Sequence, residues 1–514
     1  MLSEPYYITT AISYPNGKPH IGHAYEAIAT DAIARFHRLS GREVFFQTGT
    51  DEHGLKMVKT AREKGVEVTS LSNEMSALFK SMCDRLNISY DRFIRTTEPA
   101  HLSASQSLWK ALEANDDLYL GRYEGWYSVR DEAFYDDKEL VAGSDGEGGS
   151  KLSPQGTPVE WTIEESWFFR LSKYQQPLLD YFAAHPEFIR PESRRNEILR
   201  FVEGGLSDLS VSRTSFDWGV KVPGSDGHVM YVWVDALTNY LTGVGYPNDA
   251  ETFGRFWPAD LHVIGKDIVR FHTVYWPALL LSAGLALPKQ VFGHGFLLAR
   301  GGEKMSKSLG NVVDPIELVD AFGVDALRYF LLREVSFGSD GSYSAEAIVT
   351  RVNADLANNF GNLAQRSLSM IAKNCDGAVP TPGAATEAEE SLLAVITTAQ
   401  HAASAAMADL AINTALEAIW QAMSAANLYF AEQAPWTVRK TDPARADTIL
   451  YYTAEAVRRL TILSTWAIPE GCARILTLLG QSTTPSFTDL SNMIEAGTPL
   501  PTPVGAFPRL ELPV

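Results

Sequence analysis

Four strand-like segments of this chain each lead into a cluster of glycine and polar residues. The segments are residues 6–12, 43–47, 261–264 and 290–292, and β-branched and aromatic residues are frequent in them. Apolar residues at helical spacing follow the first segment and stop at Gly41. In parallel sheets that alternate with helices, the ligand crevice lies at the carboxyl ends of the strands, where such clusters converge. The sequence therefore predicts a doubly wound α/β fold that binds a nucleotide.

The composition changes twice along the chain, which indicates several domains in a chain too long for one core. Residues 116–226 are dense in Tyr, Trp and Phe and separate the two halves of the predicted sheet. From about residue 346 the sequence is rich in Ala and Leu at helical spacing, as in a helical bundle. The predicted order is a split Rossmann-like catalytic domain (1–115 and 227–290) interrupted by an inserted connective domain (116–226), then a loop region (291–345), an α-helical bundle (346–500) and a C-terminal tail (501–514).

Composition and charge set limits on the function. No apolar run approaches the ~20 residues that span a bilayer, and no basic and apolar leader precedes the first strand. Cys83, Cys375 and Cys472 are too far apart for a metal knuckle or a disulfide framework, which suits a reducing cytoplasm. The net charge of −18 lowers the expectation of nucleic-acid binding, although an acidic protein can carry a local basic strip. We expect a cytoplasmic protein without a membrane anchor.

Two histidines three residues apart stand where the first predicted strand gives way to a helix. His20 and His23 flank Gly22 and project from the first helical turn. A helix N-terminus presents unpaired N–H groups and the positive end of its dipole, which favour phosphate. Two imidazoles there can donate hydrogen bonds to phosphate oxygens as charge develops, while Gly22 leaves space for a base or ribose. A pair of metal ligands or of surface histidines is the alternative.

A second motif, Lys304-Met305-Ser306-Lys307-Ser308, lies between two glycine-bearing segments. The glycines indicate a loop that can move, and two ammonium groups on such a loop can close over a pyrophosphate. A solvated basic turn would account for the segment taken alone. Because both motifs occur in this order on either side of one split sheet, we expect them to serve a joint site for ATP.

With these motifs the chain resembles the methionine-specific class I aminoacyl-tRNA synthetases, from about Tyr6 to beyond Trp436. The segments that carry the resemblance are residues 11–17, 19–23, 49–54, 231–237, 264–272 and 304–308. The resemblance implies that L-methionine reacts with ATP to give methionyl-adenylate and pyrophosphate. Methionine then passes to the 3′ end of tRNA(Met), for translation initiation and elongation. Mg²⁺ is expected with ATP, and positioning and electrostatics carry the chemistry without a protein nucleophile.

The resemblance also assigns residues to each part of the site. Methionine binding is assigned to Ile12, Tyr14, Asp51, Trp233, Ala236, Leu237, Tyr240, Ile268, His272 and Trp276. ATP binding is assigned to Asn16, His20, Gly22, His23, Gly265, Asp267 and Lys307, catalysis to His20, His23, Lys304 and Lys307, and anticodon binding to Asn362, Arg366 and Trp436. These assignments agree with the chemistry of the ligands. Aromatic rings make favourable contacts with the thioether of methionine, and a carboxylate can pair with its ammonium group. An exposed tryptophan can stack on an unpaired base. Any single Trp or Tyr of the set could equally be a core aromatic.

The chain departs from the family pattern in two places. Many members hold zinc in the inserted domain through cysteine pairs, whereas here Ser128 and Asp131 stand at the first pair. A Gly/Ser loop near residues 143–157 replaces the second pair, and we expect no structural zinc. The chain ends at Val514, without the dimerising C-terminal domain of some relatives, so we expect a monomer.

Three other functions compete with this interpretation. A synthetase for leucine, valine or isoleucine is disfavoured by the ring-rich pocket and by the absence of a large editing insertion, and one for cysteine by the lack of zinc ligands. An inactive relative that only binds tRNA would not need the two histidines and the lysine motif. A nucleotidylyltransferase shares the histidine motif but would not need a bundle that carries Trp436.

Overall fold

A computed structural model describes residues 4–130, 133–135, 137–142, 151–298, 305 and 312–512. Within these ranges the chain forms a parallel α/β sheet, an antiparallel inserted sheet and a helical C-terminal part, which confirms the predicted fold class. None of the helices in these ranges is long and apolar enough to cross a membrane.

The first part of the chain builds one half of the parallel sheet. Its elements are β1 (Tyr6–Thr10), α1 (Ile21–Leu39), β2 (Val44–Thr50), α2 (Leu55–Lys64), α3 (Val68–Arg85), β3 (Arg92–Arg95) and α4 (Pro99–Ala114). β1 is buried at every position, as expected of an apolar strand covered on both faces. α1 packs on β1 and β2 and begins one residue after His20. The predicted histidine pair therefore lies at the N-terminus of a helix.

The inserted region forms a separate antiparallel sheet. Its elements are β4 (Leu118–Ser128), β5 (Ala133–Tyr135), β6 (Val141–Ala142), β7 (Lys151–Leu152), β8 (Glu160–Phe169), α5 (Gln175–Ala184), β9 (Ile189–Arg190), α6 (Glu192–Glu203), β10 (Leu209–Ser210) and β11 (Ser212–Arg213). The sheet has the order β10-β8-β4-β5. β9 differs from the predicted boundaries, because it lies within 116–226 but pairs with a strand of the parallel sheet. A two-residue strand is too short to leave a periodic pattern in the sequence.

The chain then returns to the parallel sheet. The elements are β12 (Val229–Met230), α7 (Val232–Thr242), α8 (Ala250–Phe256), β13 (Leu261–Gly265), α9 (Trp276–Ser282), β14 (Val291–His294) and β15 (Leu297–Leu298). The sheet has the order β3-β2-β1-β13-β14-β9, and its neighbouring strands are parallel. The four predicted strands are thus confirmed, although β14 falls within the predicted loop region 291–345. The strand order reverses beside β1, which is where a crevice forms at the carboxyl ends.

The C-terminal part is helical. Its elements are α10 (Pro315–Phe322), α11 (Val324–Glu334), β16 (Gly341–Ser342), α12 (Ala345–Val352), α13 (Asn362–Asn374), α14 (Glu387–Ala408), α15 (Ile412–Gln433), α16 (Pro435–Val438), α17 (Pro443–Ser464) and α18 (Pro469–Leu478). The predicted tail is tied back onto this part. The N–H of Leu510 donates to Oδ1 of Asn353 over 2.8 Å, and Nδ2 of Asn353 donates to the carbonyl of Leu510 over 2.9 Å.

One hydrophobic core runs from β1 and α1 into the helical bundle. A buried ion pair reinforces the junction, because Nη2 of Arg328 lies 2.6 Å from Oδ2 of Asp31 and neither side chain is exposed. Arg328 also donates to the carbonyl oxygens of Ala467 and Trp466. Burial alone would raise the pKa of Asp31, but the charges of Arg328 and Arg35 lower it. The helix that carries the histidine pair is therefore shared by the sheet and the bundle.

Candidate active site

A cavity of about 770 Å³ opens at the carboxyl ends of the parallel strands. It is lined from the ends of β1, β13 and β14, from the first turns of α1 and from α7. The assigned residues that line it are Ile12, Tyr14, Asn16, His20, Gly22, His23, Asp51, Trp233, Ala236, Leu237, Tyr240, Gly265, Asp267, Ile268 and His272. Lys304 and Lys307 lie outside the described residues, but Met305 between them lines the cavity.

His20 and His23 cap the start of α1. Nδ1 of His20 accepts from the N–H of Gly22, and Nδ1 of His23 accepts from the N–H of His20, both over 3.1 Å. A ring nitrogen that accepts a hydrogen bond carries no proton, so the proton of each neutral ring lies on Nε2. The ring centroids are 3.8 Å apart, and both residues line the cavity. This tautomer supplies two N–H donors of the kind that a phosphate accepts.

Gly22 makes the capping position of His20 possible. A Cβ atom on Gly22 would lie 3.0 Å from Cε1 and Nδ1 of His20. A larger residue would therefore displace the imidazole ring. This contact is a reason for glycine at position 22 that differs from the predicted space for a base or ribose, which stays a prediction.

A buried tyrosine–histidine pair lies at the ring-lined end of the cavity. The hydroxyl of Tyr240 is 2.7 Å from Nε2 of His272, and Nδ1 of His272 is 2.9 Å from the carbonyl oxygen of Ile268. Because a carbonyl only accepts, Nδ1 carries the proton and Nε2 accepts from the tyrosine. Burial lowers the pKa of His272 to about 4, so its ring is neutral at physiological pH. Trp233 stacks on Phe271 with ring centroids 3.7 Å apart. Such rings favour a polarisable thioether.

Asp51 provides a carboxylate at the same cavity. It follows β2, is 8% exposed, and its backbone N–H donates to the carbonyl of Ser13 over 2.9 Å. Tyr14 lies nearby on the lining, and its hydroxyl accepts from the N–H of Met57 over 3.1 Å. A nearly buried carboxylate that faces a cavity suits an ammonium group, because their hydrogen bond is charge-assisted and poorly screened.

Trp276 lies deeper than the sequence suggested. Its side chain is 0% exposed, and it is not part of the cavity lining. Its ring centroid is 6.1 Å from that of Tyr240, so it packs in the core next to the tyrosine. Trp276 therefore lies behind Tyr240 and does not reach the cavity. The spacing of aromatic residues in the sequence cannot distinguish a ring that lines the cavity from a ring in the core, because tryptophan suits both positions.

Glu26 and His294 line the cavity but were not selected from the sequence. Nε2 of His294 is 2.8 Å from Oε2 of Glu26, and Nδ1 of His294 is 2.8 Å from the carbonyl of Gly295. Oε1 of Glu26 accepts from the N–H of Ala11 over 3.1 Å. Burial alone would lower the pKa of His294, but the hydrogen bond and charge of Glu26 raise it. The pair thus joins the ends of β1 and β14 to α1. The sequence did contain a signal for His294, because Gly293-His294-Gly295 is one of the glycine and polar clusters at the strand ends.

The three residues assigned to the anticodon lie on the helical bundle, outside the cavity. The guanidinium carbon of Arg366 is 5.4 Å from the centroid of the Trp436 ring and 5.3 Å from that of Phe430. Trp436 is 41% exposed. Asn362 lies one turn before Arg366 on α13, and both are exposed. The bundle therefore presents a ring, a guanidinium and an amide together at its surface.

Within the described part of the chain, no group of three or more His, Cys, Asp or Glu side chains could hold a metal ion. Ser128 stands where the family pattern has a cysteine, and its hydroxyl is 2.7 Å from Oγ1 of Thr157. The hydroxyl of Ser153 is 2.8 Å from the same atom, and all three residues are buried. Asp131 lies outside the described residues. These three hydroxyls thus connect two segments of the insert.

Two family models match consecutive parts of the chain. The model described as tRNA synthetases class I (M) matches residues 6–368. The model described as the anticodon binding domain of methionyl tRNA ligase matches residues 379–511.

Individual relatives match over the full length. The methionine–tRNA ligase of Brucella suis biovar 1 is 58% identical over 511 residues, covering 99% of this chain and 98% of that protein. The methionine–tRNA ligase of Mycobacterium tuberculosis strain H37Rv is 56% identical over 517 residues, covering 99% of each. The solved structure of Mycobacterium tuberculosis methionyl-tRNA synthetase in complex with methionyl-adenylate has a TM-score of 0.95 at 56% identity, over 98% of this chain and 100% of that chain. The chain therefore belongs to the methionyl-tRNA synthetase family of class I aminoacyl-tRNA synthetases.

Proposed function

We propose that the chain is a methionine–tRNA ligase, which activates L-methionine with ATP and loads it onto tRNA(Met) for translation initiation and elongation. The observation that carries the proposal is one cavity that combines the histidine pair, a carboxylate and a ring-lined subsite. The full-length relatives named methionine–tRNA ligase support the same activity.

In the first step, a carboxylate oxygen of methionine attacks the α-phosphorus of ATP. A new O–P bond forms, the bond from the α-phosphorus to the bridging oxygen breaks, and pyrophosphate leaves with the Mg²⁺ that enters with ATP as part of the substrate. His20 and His23 donate their Nε2–H groups to phosphate oxygens, where negative charge develops. Lys304 and Lys307 neutralise the pyrophosphate in this proposal.

The other ATP residues hold the nucleoside. Asp267 follows β13 and can accept a hydrogen bond from a ribose hydroxyl. Gly265 allows this position, because a Cβ atom there would lie 2.7 Å from Oδ1 of Asp267. Asn16, on the turn before α1, lines the cavity near the histidines and can donate or accept through its amide.

Methionine recognition combines one charge contact with an apolar fit. Asp51 accepts from the ammonium group, and Trp233 and Tyr240 contact the thioether side chain, together with Ile12, Ala236 and Leu237. Because His272 accepts from Tyr240, the tyrosine ring has a fixed position. An apolar pocket distinguishes one methylene by only ~1–3 kcal/mol. Rejection of close analogues therefore depends on this fixed geometry.

In the second step, a hydroxyl of the terminal adenosine of tRNA attacks the carbonyl carbon of the adenylate, and AMP leaves. Recognition of the tRNA takes place elsewhere, at Asn362, Arg366 and Trp436 on the bundle. An unpaired anticodon base stacks on Trp436, and the amide and guanidinium groups read base edges. The core that α1 shares with the bundle holds the two sites in a fixed relation.

We further propose that the protein acts as a monomer in the cytoplasm. Among the described residues, the exposed large apolar side chains are distributed over different parts of the chain, with Val66 on the sheet domain, Trp161 and Ile163 on the insert and Leu428 on the bundle. Light scattering of the purified protein tests this state, and a dimer mass at micromolar concentration would contradict it.

Amino-acid-dependent ATP–pyrophosphate exchange across the twenty amino acids tests the activity. Methionine should be the amino acid that supports exchange, and tRNA(Met) should then accept it in an aminoacylation assay. Exchange driven by another amino acid in preference to methionine would contradict the proposed specificity. Metal analysis of the purified protein tests the expectation that the insert folds without zinc, and stoichiometric zinc would contradict it.

A further inference from the structure

A buried cluster of His53, Asp235 and His101 lies beside the proposed methionine subsite, and none of the three residues lines the cavity. Asp235 is 0% exposed, and each of its carboxylate oxygens meets an imidazole. Oδ2 is 2.7 Å from Nδ1 of His53, and Oδ1 is 2.7 Å from Nε2 of His101. Burial alone would raise the pKa of Asp235, but the charges and hydrogen bonds of the two histidines lower it to about 2. Asp235 is therefore an anion that accepts from both rings.

The cluster connects the two elements that carry the methionine site. His53 follows Asp51 by two residues, in the loop between β2 and α2. Asp235 lies in α7, between Trp233 and Tyr240, which line the cavity. The hydrogen bond from His53 to Asp235 thus ties the loop with the ammonium partner to the helix with the side-chain pocket.

Other contacts hold α7 and the loop in place. His101 lies on α4 and is fully buried, and its Nδ1 is 3.1 Å from Oγ1 of Thr242 at the end of α7. α4 therefore contacts α7 at both Asp235 and Thr242. On the loop side, Nε1 of Trp218 donates to the carbonyl of Glu52 over 2.6 Å. With both partners held in this way, the loop has little freedom to move relative to α7.

We propose that Asp235 is a positioning residue for methionine: through His53 and His101 it fixes the separation between Asp51 and the side-chain pocket on α7. This inference rests on the proposed function. Charge-assisted hydrogen bonds depend strongly on distance and direction, so a small shift of Asp51 would weaken the ammonium contact. The histidine pair and the ends of β13 and β14 come from other elements, so ATP binding does not depend on the cluster.

Asp235→Asn tests the proposal, because it keeps the shape of the side chain and removes the charge. In ATP–pyrophosphate exchange we expect the KM for methionine to rise by roughly tenfold and the KM for ATP to change by less than about twofold. Asp325→Asn is the matched control. Asp325 is also a buried carboxylate, 6% exposed, but it lies on α11, where it accepts from the N–H of Gly471. This control should change neither KM. An equal rise of both KM values in Asp235→Asn would overturn the proposal.

A double-mutant cycle separates positioning from general loosening. In the Asp235→Asn background, Asp51→Asn should raise the KM for methionine by a smaller factor than in the unaltered protein, because the ammonium contact is already weakened. The same factor in both backgrounds would show that Asp235 does not act through Asp51.

A second pair of variants decides the question if Asp235→Asn does not fold. His53→Ala removes the donor to Asp235, whereas His53→Asn keeps an N–H donor close to the position of Nδ1. We expect His53→Ala to raise the KM for methionine and His53→Asn to raise it by a much smaller factor. Equal KM values for the two variants would overturn the proposal. Methionine-dependent exchange by the unaltered protein is the reference. Its absence would contradict the proposed function, whereas its presence together with unchanged KM values in the variants would contradict this inference alone.

Discussion

Replacement of Trp436 by alanine should separate tRNA charging from amino-acid activation. Trp436 is 41% exposed, and the guanidinium carbon of Arg366 lies 5.4 Å from its ring centroid; we expect the exposed part of the ring to stack one base. Stacking of one base on an aromatic side chain contributes ~1–3 kcal/mol. Since about 1.4 kcal/mol corresponds to a tenfold change in affinity, we expect Trp436→Ala to raise the KM for tRNA by roughly 5- to 150-fold.

Two assays on the same protein preparations check this result. Aminoacylation with varied tRNA gives the KM for tRNA, and methionine-dependent ATP–pyrophosphate exchange gives the activity of the cavity. Exchange should be unchanged, because Trp436 does not line the cavity. Leu428→Ala is the matched control, since Leu428 is 58% exposed on the same bundle, and it should affect neither assay. Parallel loss of exchange and charging in a Trp436→Ala protein that keeps its melting temperature would refute the division of labour.

Three further predictions concern the capping pair, the buried ion pair and pH. Gly22→Ala should lower kcat for exchange by roughly tenfold or more, because the added Cβ would lie 3.0 Å from the His20 ring; an unchanged kcat would contradict the capping role. Arg328→Met should lower the free energy of unfolding in denaturant by ~3–5 kcal/mol, because Asp31 loses its buried partner; a loss of under about 1 kcal/mol would contradict it. The free energy of unfolding should also fall as the pH drops from 6.5 to about 4. Burial lowers the pKa of His272 from 6.5 to about 4, so the unfolded chain takes up the proton at a higher pH than the folded protein. A constant free energy of unfolding across this range, measured by denaturation at several pH values, would contradict a buried neutral His272.

The parts of the fold that follow from local patterns were predictable from the sequence. A buried apolar run such as residues 6–12 predicts a strand by itself, and the apolar residues at helical spacing that follow it and stop at Gly41 predict a helix. The Glu26–His294 pair was not predictable, because its members are 268 residues apart and no local period connects them. Only the assembled sheet brings β14 beside α1.

The aromatic residues show a second limit of the same kind. Tyr240 and Trp276 are both buried and lie next to each other, yet only Tyr240 lines the cavity. Their positions depend on how α7 and α9 pack on the sheet, which spacing along the chain does not specify. The cluster around Asp235 was missed for this reason too, since His53 and Asp235 are 182 residues apart.

The sharing of α1 between sheet and bundle has a consequence for the ancestry of such enzymes. Phe36 on α1 meets Trp466 of the bundle edge-on at 6.1 Å between ring centroids, and Arg328 bridges Asp31 to the carbonyl of Ala467. A catalytic fragment cut from the bundle would expose this apolar face and leave Arg328 without the carbonyl oxygens of Ala467 and Trp466. The bundle is therefore no interchangeable module. Any recombination that exchanged the bundle between related enzymes would have to keep this joint together with α1, which begins one residue after His20.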